Sequence, residues 1–216
     1  MIRLLVFDFD GTLADTRELI VLTNQEVQRR MHYPVRDEAS IVATIGLPLS
    51  DGILAMCPDV RREDLPQWVA VYRDVFESLK GKIVPSLFPH VSETLAELCR
   101  RGCICSVASS RGSVSLNDFL REMGIAPYIS YVLGAEDVTH AKPNPEPVLK
   151  TLRELNVPAS ETLVVGDMPV DIRMGLGAGA FTCGVSFGNS DRPSLIASGA
   201  DYVVDDFWEI LSIIDK

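Results

Sequence analysis

The apolar run IRLLVF, residues 2–7, is followed at once by DFDGTLADT, residues 8–16. A strand short and apolar enough to be buried on both faces is thus succeeded by three carboxylates, Asp8, Asp10 and Asp15. In parallel α/β sheets, ligands bind beyond the carboxyl ends of the strands. Asp8 sits at such an end, and Asp10, two residues on, faces the same site if the backbone stays extended. Gly11 then permits a sharp exit. Carboxylates crowded at a buried edge repel each other, and desolvation adds to the cost. A divalent cation would offset both. A calcium-binding loop does not fit: counted from Asp8, the sixth position is Leu13 instead of Gly, the twelfth is Leu19 instead of Glu, and a strand precedes the acids. Asp15 suits a different task, capping the helix that follows.

The rest of the chain alternates short apolar runs with helical patterns, which predicts an α/β fold with a Rossmann-like parallel sheet. Further strands are expected at Cys103–Ser109, Ile129–Leu133 and Thr162–Asp167, from Phe181, and from Asp201. VSETLAELCRRG and PEPVLKTLRELN read as helices, the second with Val148, Leu149, Leu152 and Leu155 on one stripe. Residues 16–82 show no strand pattern. ELIVLTNQEVQRRM reads as one helix there, and Leu65, Trp68, Val69, Tyr72, Val75, Phe76 and Leu79 predict a second, long amphipathic one. The expected organisation is a core domain of residues 1–15 and 83–216 with an all-helical insertion at 16–82, hinged near Thr16 and near Lys82–Pro89.

Other predicted strand ends supply what a phosphate site needs. VGDMPVD ends one strand with Asp167 and places Asp171 four residues later, with Pro169 suited to the first turn of a helix. Asp167 could complete an oxygen shell for Mg²⁺. SVASSRG ends another strand with Ser109 and Ser110, whose hydroxyls and N–H groups can hold phosphoryl oxygens. AKPNPEP holds the cation Lys142 on a proline-stiffened loop. GLGAGA, residues 175–180, resembles a dinucleotide fingerprint only superficially, because a predicted helix precedes it and a strand follows.

In this order, DFDGTLADT, the strand ending in Ser109, KPNPEP, VGDMPVD and GADYVVDDFWEIL resemble the haloacid dehalogenase superfamily, and its phosphoglycolate-phosphatase-like branch in particular, over nearly the whole chain. The resemblance implies a phosphatase with Mg²⁺ as cofactor and a helical cap over the site. It implies Asp8 as nucleophile and Asp10 as general acid and base, with Ser109, Ser110 and Lys142 on the phosphoryl group. Mg²⁺ would be held by Asp8, the backbone carbonyl of Asp10, and Asp167, with Asp171 in support. IGLPLS resembles the family's substrate-specificity loop and points to Thr44, Gly46 and Leu47. His90 stands where many relatives carry Gly and reads as variation at the hinge; His140 reads as a solvated loop residue.

The implied substrate is a small phosphorylated metabolite, phosphoglycolate-like or a sugar or nucleotide monophosphate. Residues 37–60 contain no cation, which argues against a second phosphate anchored there, as a sugar phosphomutase requires, and against insisting on phosphoglycolate, although Arg17, Arg29, Arg30 or Arg111 could reach in from elsewhere. Absence of lysine between Thr16 and Leu79 argues against a Schiff-base phosphonatase. A non-catalytic binding module on the same fold is the alternative from outside enzymology. The formal net charge of −10 argues against nucleic-acid and anionic-membrane partners. No apolar run approaches a membrane span, and the five cysteines, with no CxxC, read as reduced thiols of a cytoplasmic protein. The sequence gives no indication of oligomeric state.

Overall fold

The computed structural model describes residues 1–215. Its strands are β1 (Leu4–Phe7), β2 (Ala14–Asp15), β3 (Ser86–Leu87), β4 (Ile104–Ala108), β5 (Ile129–Leu133), β6 (Thr162–Gly166), β7 (Phe181–Val185) and β8 (Tyr202–Val204). Six of them form one parallel sheet in the order β5-β4-β1-β6-β7-β8. β1 is central, registered Leu4 to Ile104 on one side and Leu4 to Thr162 on the other. Every residue of β1 is fully buried, because helices cover both faces of the sheet. Leu5 and Phe7 join a cluster with Leu95, Leu98, Phe207 and Ile210, while Leu4 and Val6 pack with Val148, Val164 and Met174. This two-sided burial is why the strand reads as an unbroken apolar run instead of an alternating one.

The helices are α1 (Arg17–Arg30), α2 (Glu38–Val42), α3 (Leu49–Met56), α4 (Leu65–Lys80), α5 (Val91–Arg100), α6 (Ser113–Glu122), α7 (Glu146–Leu155), α8 (Pro169–Gly177) and α9 (Arg192–Ala197). The first four build the helical insertion around Val27, Ile41, Ile53, Trp68 and Val75. The long amphipathic pattern became α4, with Pro66 in its first turn. Several features were not foreseen, α6 and α9 among them. α2 and α3 span five and eight residues, too short for multi-turn periodicity. β2 and β3 pair antiparallel, Ala14 with Leu87 and Asp15 with Ser86, and tie together the two chain segments that enter and leave the insertion.

Asp15 accepts a hydrogen bond from the N–H of Arg17, but the N-cap position of α1 belongs to Thr16 and carries no side-chain capping bond. His90 has φ +63 just before α5 and sets its Nδ1 2.9 Å from the carboxylate of Asp206. Its left-handed backbone gives the physical reason for a glycine preference at this position. His140 is exposed beside Glu146. GLGAGA is no dinucleotide fingerprint: Gly175 lies in α8, where a Cβ would come within 2.9 Å of Val164 on the sheet. No disulfide joins the five cysteines, and burial pushes the Cys183 thiol up to about 12. Among the described residues no helix is long and apolar enough to cross a membrane.

Candidate active site

β1 runs straight into the site. The N–H of Asp8 still donates to the carbonyl oxygen of Val165, 2.9 Å away, so the carboxylate is held by continuation of the sheet ladder. The chain then turns at Gly11, with φ +87, where a Cβ would lie 2.2 Å from Asp167 Oδ2. Only glycine brings the backbone this close to the neighbouring strand end.

Asp8, Asp167 and Asp171 are all buried, and each offers an oxygen within 4.8 Å of the others. Lys142, also buried, donates to Asp8 Oδ1 at 2.6 Å and to Asp171 Oδ1 at 2.7 Å. Asp167 accepts from Thr12 Oγ1 (3.3 Å) and from the backbone and side-chain nitrogens of Asn189 (2.7 and 2.9 Å). Asp171 also accepts from the N–H of Met168. Burial raises the Asp8 carboxyl well above the ordinary carboxylate range, with Lys142 opposing and Asp171, Asp167 and Asp10 reinforcing. Burial together with Asp171 pushes Asp167 up to about 7, against the hydrogen bonds from Asn189. Burial disfavours the Lys142 ammonium, but Asp171 and Asp8 outweigh it and lift its pKa above the usual lysine range.

These shifts have one origin. Three carboxylates share one ammonium, so the fully ionised cluster carries two uncompensated negative charges in a buried place. Its donors are hard carboxylate oxygens. Charge and chemistry both fit a divalent cation of the Mg²⁺ type. Asp171, expected in support, stands in this cluster as closely as Asp8 and Asp167 do.

The Asp10 side chain belongs to a separate arrangement. Its carboxylate accepts from Thr16 Oγ1 (2.6 Å) and from Arg111 in a bidentate pair, Nε at 3.1 Å and Nη2 at 2.5 Å. The guanidinium lies 5.0 to 5.9 Å from the ring centroids of Phe9, Phe76 and Phe119, a planar cation held against aromatic faces. Ser109 Oγ accepts from the N–H of Arg111 and is almost fully buried. The Ser110 hydroxyl donates to the carbonyl oxygen of Gly46 at 2.6 Å, so it joins the core to the helical insertion. Thr44, Gly46 and Leu47 do line the cleft that contains Asp8, Asp10 and Ser109. His90 and His140 are not among the residues lining it.

Asn189 and Thr16 escaped the sequence reading as site residues, and Arg111 entered it only as one of several cations that could reach in toward the substrate. Arg111 follows Ser109 and Ser110 directly, but its partners come from residues 10, 76 and 119, and nothing local signals that convergence. Truncating Arg111 would leave Asp10 buried with only Thr16 as partner. Arg111→Met is therefore expected to destabilise the fold by about 3–5 kcal/mol, the usual result of breaking one side of a buried pair. Urea unfolding of the variant checks this; a loss below about 1 kcal/mol would contradict the pairing.

The family model for haloacid dehalogenase-like hydrolases matches residues 5–185. The chain is 37% identical over 212 residues to the probable phosphatase IndB of Dickeya dadantii, covering 96% of this chain and 91% of that protein. It is 32% identical over 222 residues to a phosphoglycolate phosphatase of Vibrio parahaemolyticus, covering 99% and 96% respectively. Among solved structures, a haloacid dehalogenase-like hydrolase from Bacteroides fragilis superposes with a TM-score of 0.92 at 27% identity, over 97% of this chain and 100% of that one.

Proposed function

Since this chain belongs to the haloacid dehalogenase-like hydrolases, we propose that it is a Mg²⁺-dependent phosphatase that hydrolyses a small phosphate monoester through a phosphorylated Asp8. The observation that carries this reading is the buried cluster of Asp8, Asp167 and Asp171 around Lys142, beside an Asp10 held apart by Arg111.

Asp8, Asp167 and the backbone carbonyl of Asp10 would hold Mg²⁺, with Asp171 beside them; the ion would supply positive charge against the phosphoryl oxygens. Lys142 adds a second cation, positioned by Asp171 to touch Asp8. Both lower the repulsion between an anionic nucleophile and an anionic phosphoryl group. An Asp8 oxygen attacks phosphorus, the bond to the ester oxygen breaks, and Asp10 gives that oxygen a proton. Water then attacks phosphorus, Asp10 takes its proton, and the bond to Asp8 breaks to release inorganic phosphate. Ser109 would hold a phosphoryl oxygen throughout. Residues 16–82 act as a cap over the site, tethered by the β2–β3 pair, and exclude bulk water when closed.

A mutase would need a cation for a second phosphate on the specificity loop, and residues 37–60 contain none. The partner is a small-molecule phosphate ester rather than a nucleic acid, in keeping with the net charge of −10. The experiment is phosphate release from the monoester p-nitrophenyl phosphate, with and without Mg²⁺. Turnover is expected with the ion and is lost on exhaustive chelation; turnover that survives chelation would sink the metal-dependent reading.

A further inference from the structure

The cleft between the helical insertion and the strand ends encloses about 550 Å³. That is the size range of pockets that enclose drug-sized ligands. It exceeds what a two-carbon acid or a second phosphoryl group would fill.

The lining is selective as well as large. Ile20, Ile45, Leu47, Leu49, Met56 and Phe76 give it apolar walls on the insertion's side. Besides Thr44, whose hydroxyl donates to the carbonyl oxygen of Ile41, two neutral polar groups interrupt them. Asn24 of α1 is only 6% exposed; its amide donates to the carbonyl oxygen of Ile20 at 2.9 Å. Its own carbonyl oxygen and second proton have no partner among the described residues. The Tyr72 hydroxyl, also on the cleft, has none either. Burial pushes the Tyr72 pKa up to about 12, so it stays a neutral donor.

Of the two cations on the lining, one is engaged and the other is exposed. Arg111 is committed to Asp10 and Ser115. Arg73, the other cation on the lining, is exposed and shares it with the acids Glu77, Asp118 and Glu136. An anionic leaving group enclosed here would face three acids and have only the exposed Arg73 as a charge-assisted partner. A flat, largely apolar body with a hydrogen-bonding edge would satisfy both the walls and the two unpartnered polar groups.

We infer that the substrate is the monophosphate ester of a neutral, nucleoside-sized alcohol, and that Asn24 binds the hydrogen-bonding edge of its leaving group. The inference rests on the phosphatase reading: the ester P–O bond breaks, the neutral alcohol leaves with a proton, and phosphate is released.

The test measures kcat/KM of the Mg²⁺-loaded full chain on uridine 5′-monophosphate, adenosine 5′-monophosphate, phosphoglycolate, inorganic pyrophosphate and acetyl phosphate. At least one nucleoside monophosphate is expected to exceed phosphoglycolate and pyrophosphate by about tenfold or more. Asn24→Leu is expected to lower the ratio of nucleotide to acetyl phosphate turnover by about tenfold, mainly through KM. A preference for phosphoglycolate or pyrophosphate overturns the inference, whatever the variant does. An unchanged ratio in a folded Asn24→Leu overturns the role of Asn24. Acetyl phosphate hydrolysis without nucleotide hydrolysis sinks the substrate class and leaves the phosphatase standing. No phosphate release from any of the five sinks both.

Discussion

Asp8→Asn is expected to reduce turnover at least about a hundredfold, since removing a nucleophile usually costs several decades, while the fold persists. The stability half of this prediction separates it from simple disruption. Asp8 is one of three buried carboxylates that share Lys142. Burial and its acidic neighbours already hold its carboxyl well above the ordinary range. Asparagine keeps the shape and removes one repelling charge, and Asp171 still pairs Lys142 at 2.7 Å. Without Mg²⁺ the variant should therefore melt no lower than the wild type. A large activity loss accompanied by a clear drop in melting temperature would point to a structural role for Asp8 instead.

Mg²⁺ should stabilise the protein, and by more as the pH rises. In the ion-free cluster the Asp167 pKa is raised from its ordinary 3.8 to about 7, chiefly by burial and by Asp171. A raised folded-state pKa contributes stability that is fully present below about 4 and lost as the pH climbs through about 7. The ion-free protein should thus lose stability across that window. A divalent ion needs these oxygens ionised and competes with protons for them. At a hundred times its dissociation constant it would add about 2.7 kcal/mol by mass action. The gain in melting temperature on adding Mg²⁺ is accordingly expected to be small at pH 5.5 and large at pH 8, and to shrink at both in Asp167→Ala. A gain that is flat with pH, or equal in the variant, would contradict the cluster's role.

Residues set by a strand end were readable because parallel-sheet geometry fixes where such ends lead. Asp8, Ser109 and Asp167 each follow a short apolar run, and the structure brings all three strand ends together on β1, β4 and β6. Lys142 was readable from its proline-rich loop, and α4 from repeated three- and four-residue spacing over sixteen residues. The Arg111–Asp10 pair was not, since it is made by chain segments about a hundred residues apart and by three phenylalanines brought together only in the folded state. Asn24 was hidden in another way. On an amphipathic helix a polar residue reads as solvated, and only packing of α1 against the cleft leaves it largely buried, with its amide edge open to the cleft. Gly188 and Asn189 gave a faint signal as a turn pair after β7. Their task, cradling Asp167 so closely that a Cβ on Gly188 would sit 2.4 Å from it, is tertiary. The bond from Ser110 to Gly46 likewise depends on where the insertion lands, which no local pattern encodes.

The central claim is covalent, and it has a direct measurement. The wild-type chain, mixed with Mg²⁺ and acetyl phosphate bearing a radiolabelled phosphoryl group, is quenched in acid within the first turnover and digested. The account predicts one labelled phosphoryl group on the peptide that contains Asp8, labile to hydroxylamine as an acyl phosphate must be, and no label on Asp8→Asn treated in the same way. Rapid hydrolysis by the wild type with no label at any quench time, or label that persists in Asp8→Asn, would contradict it.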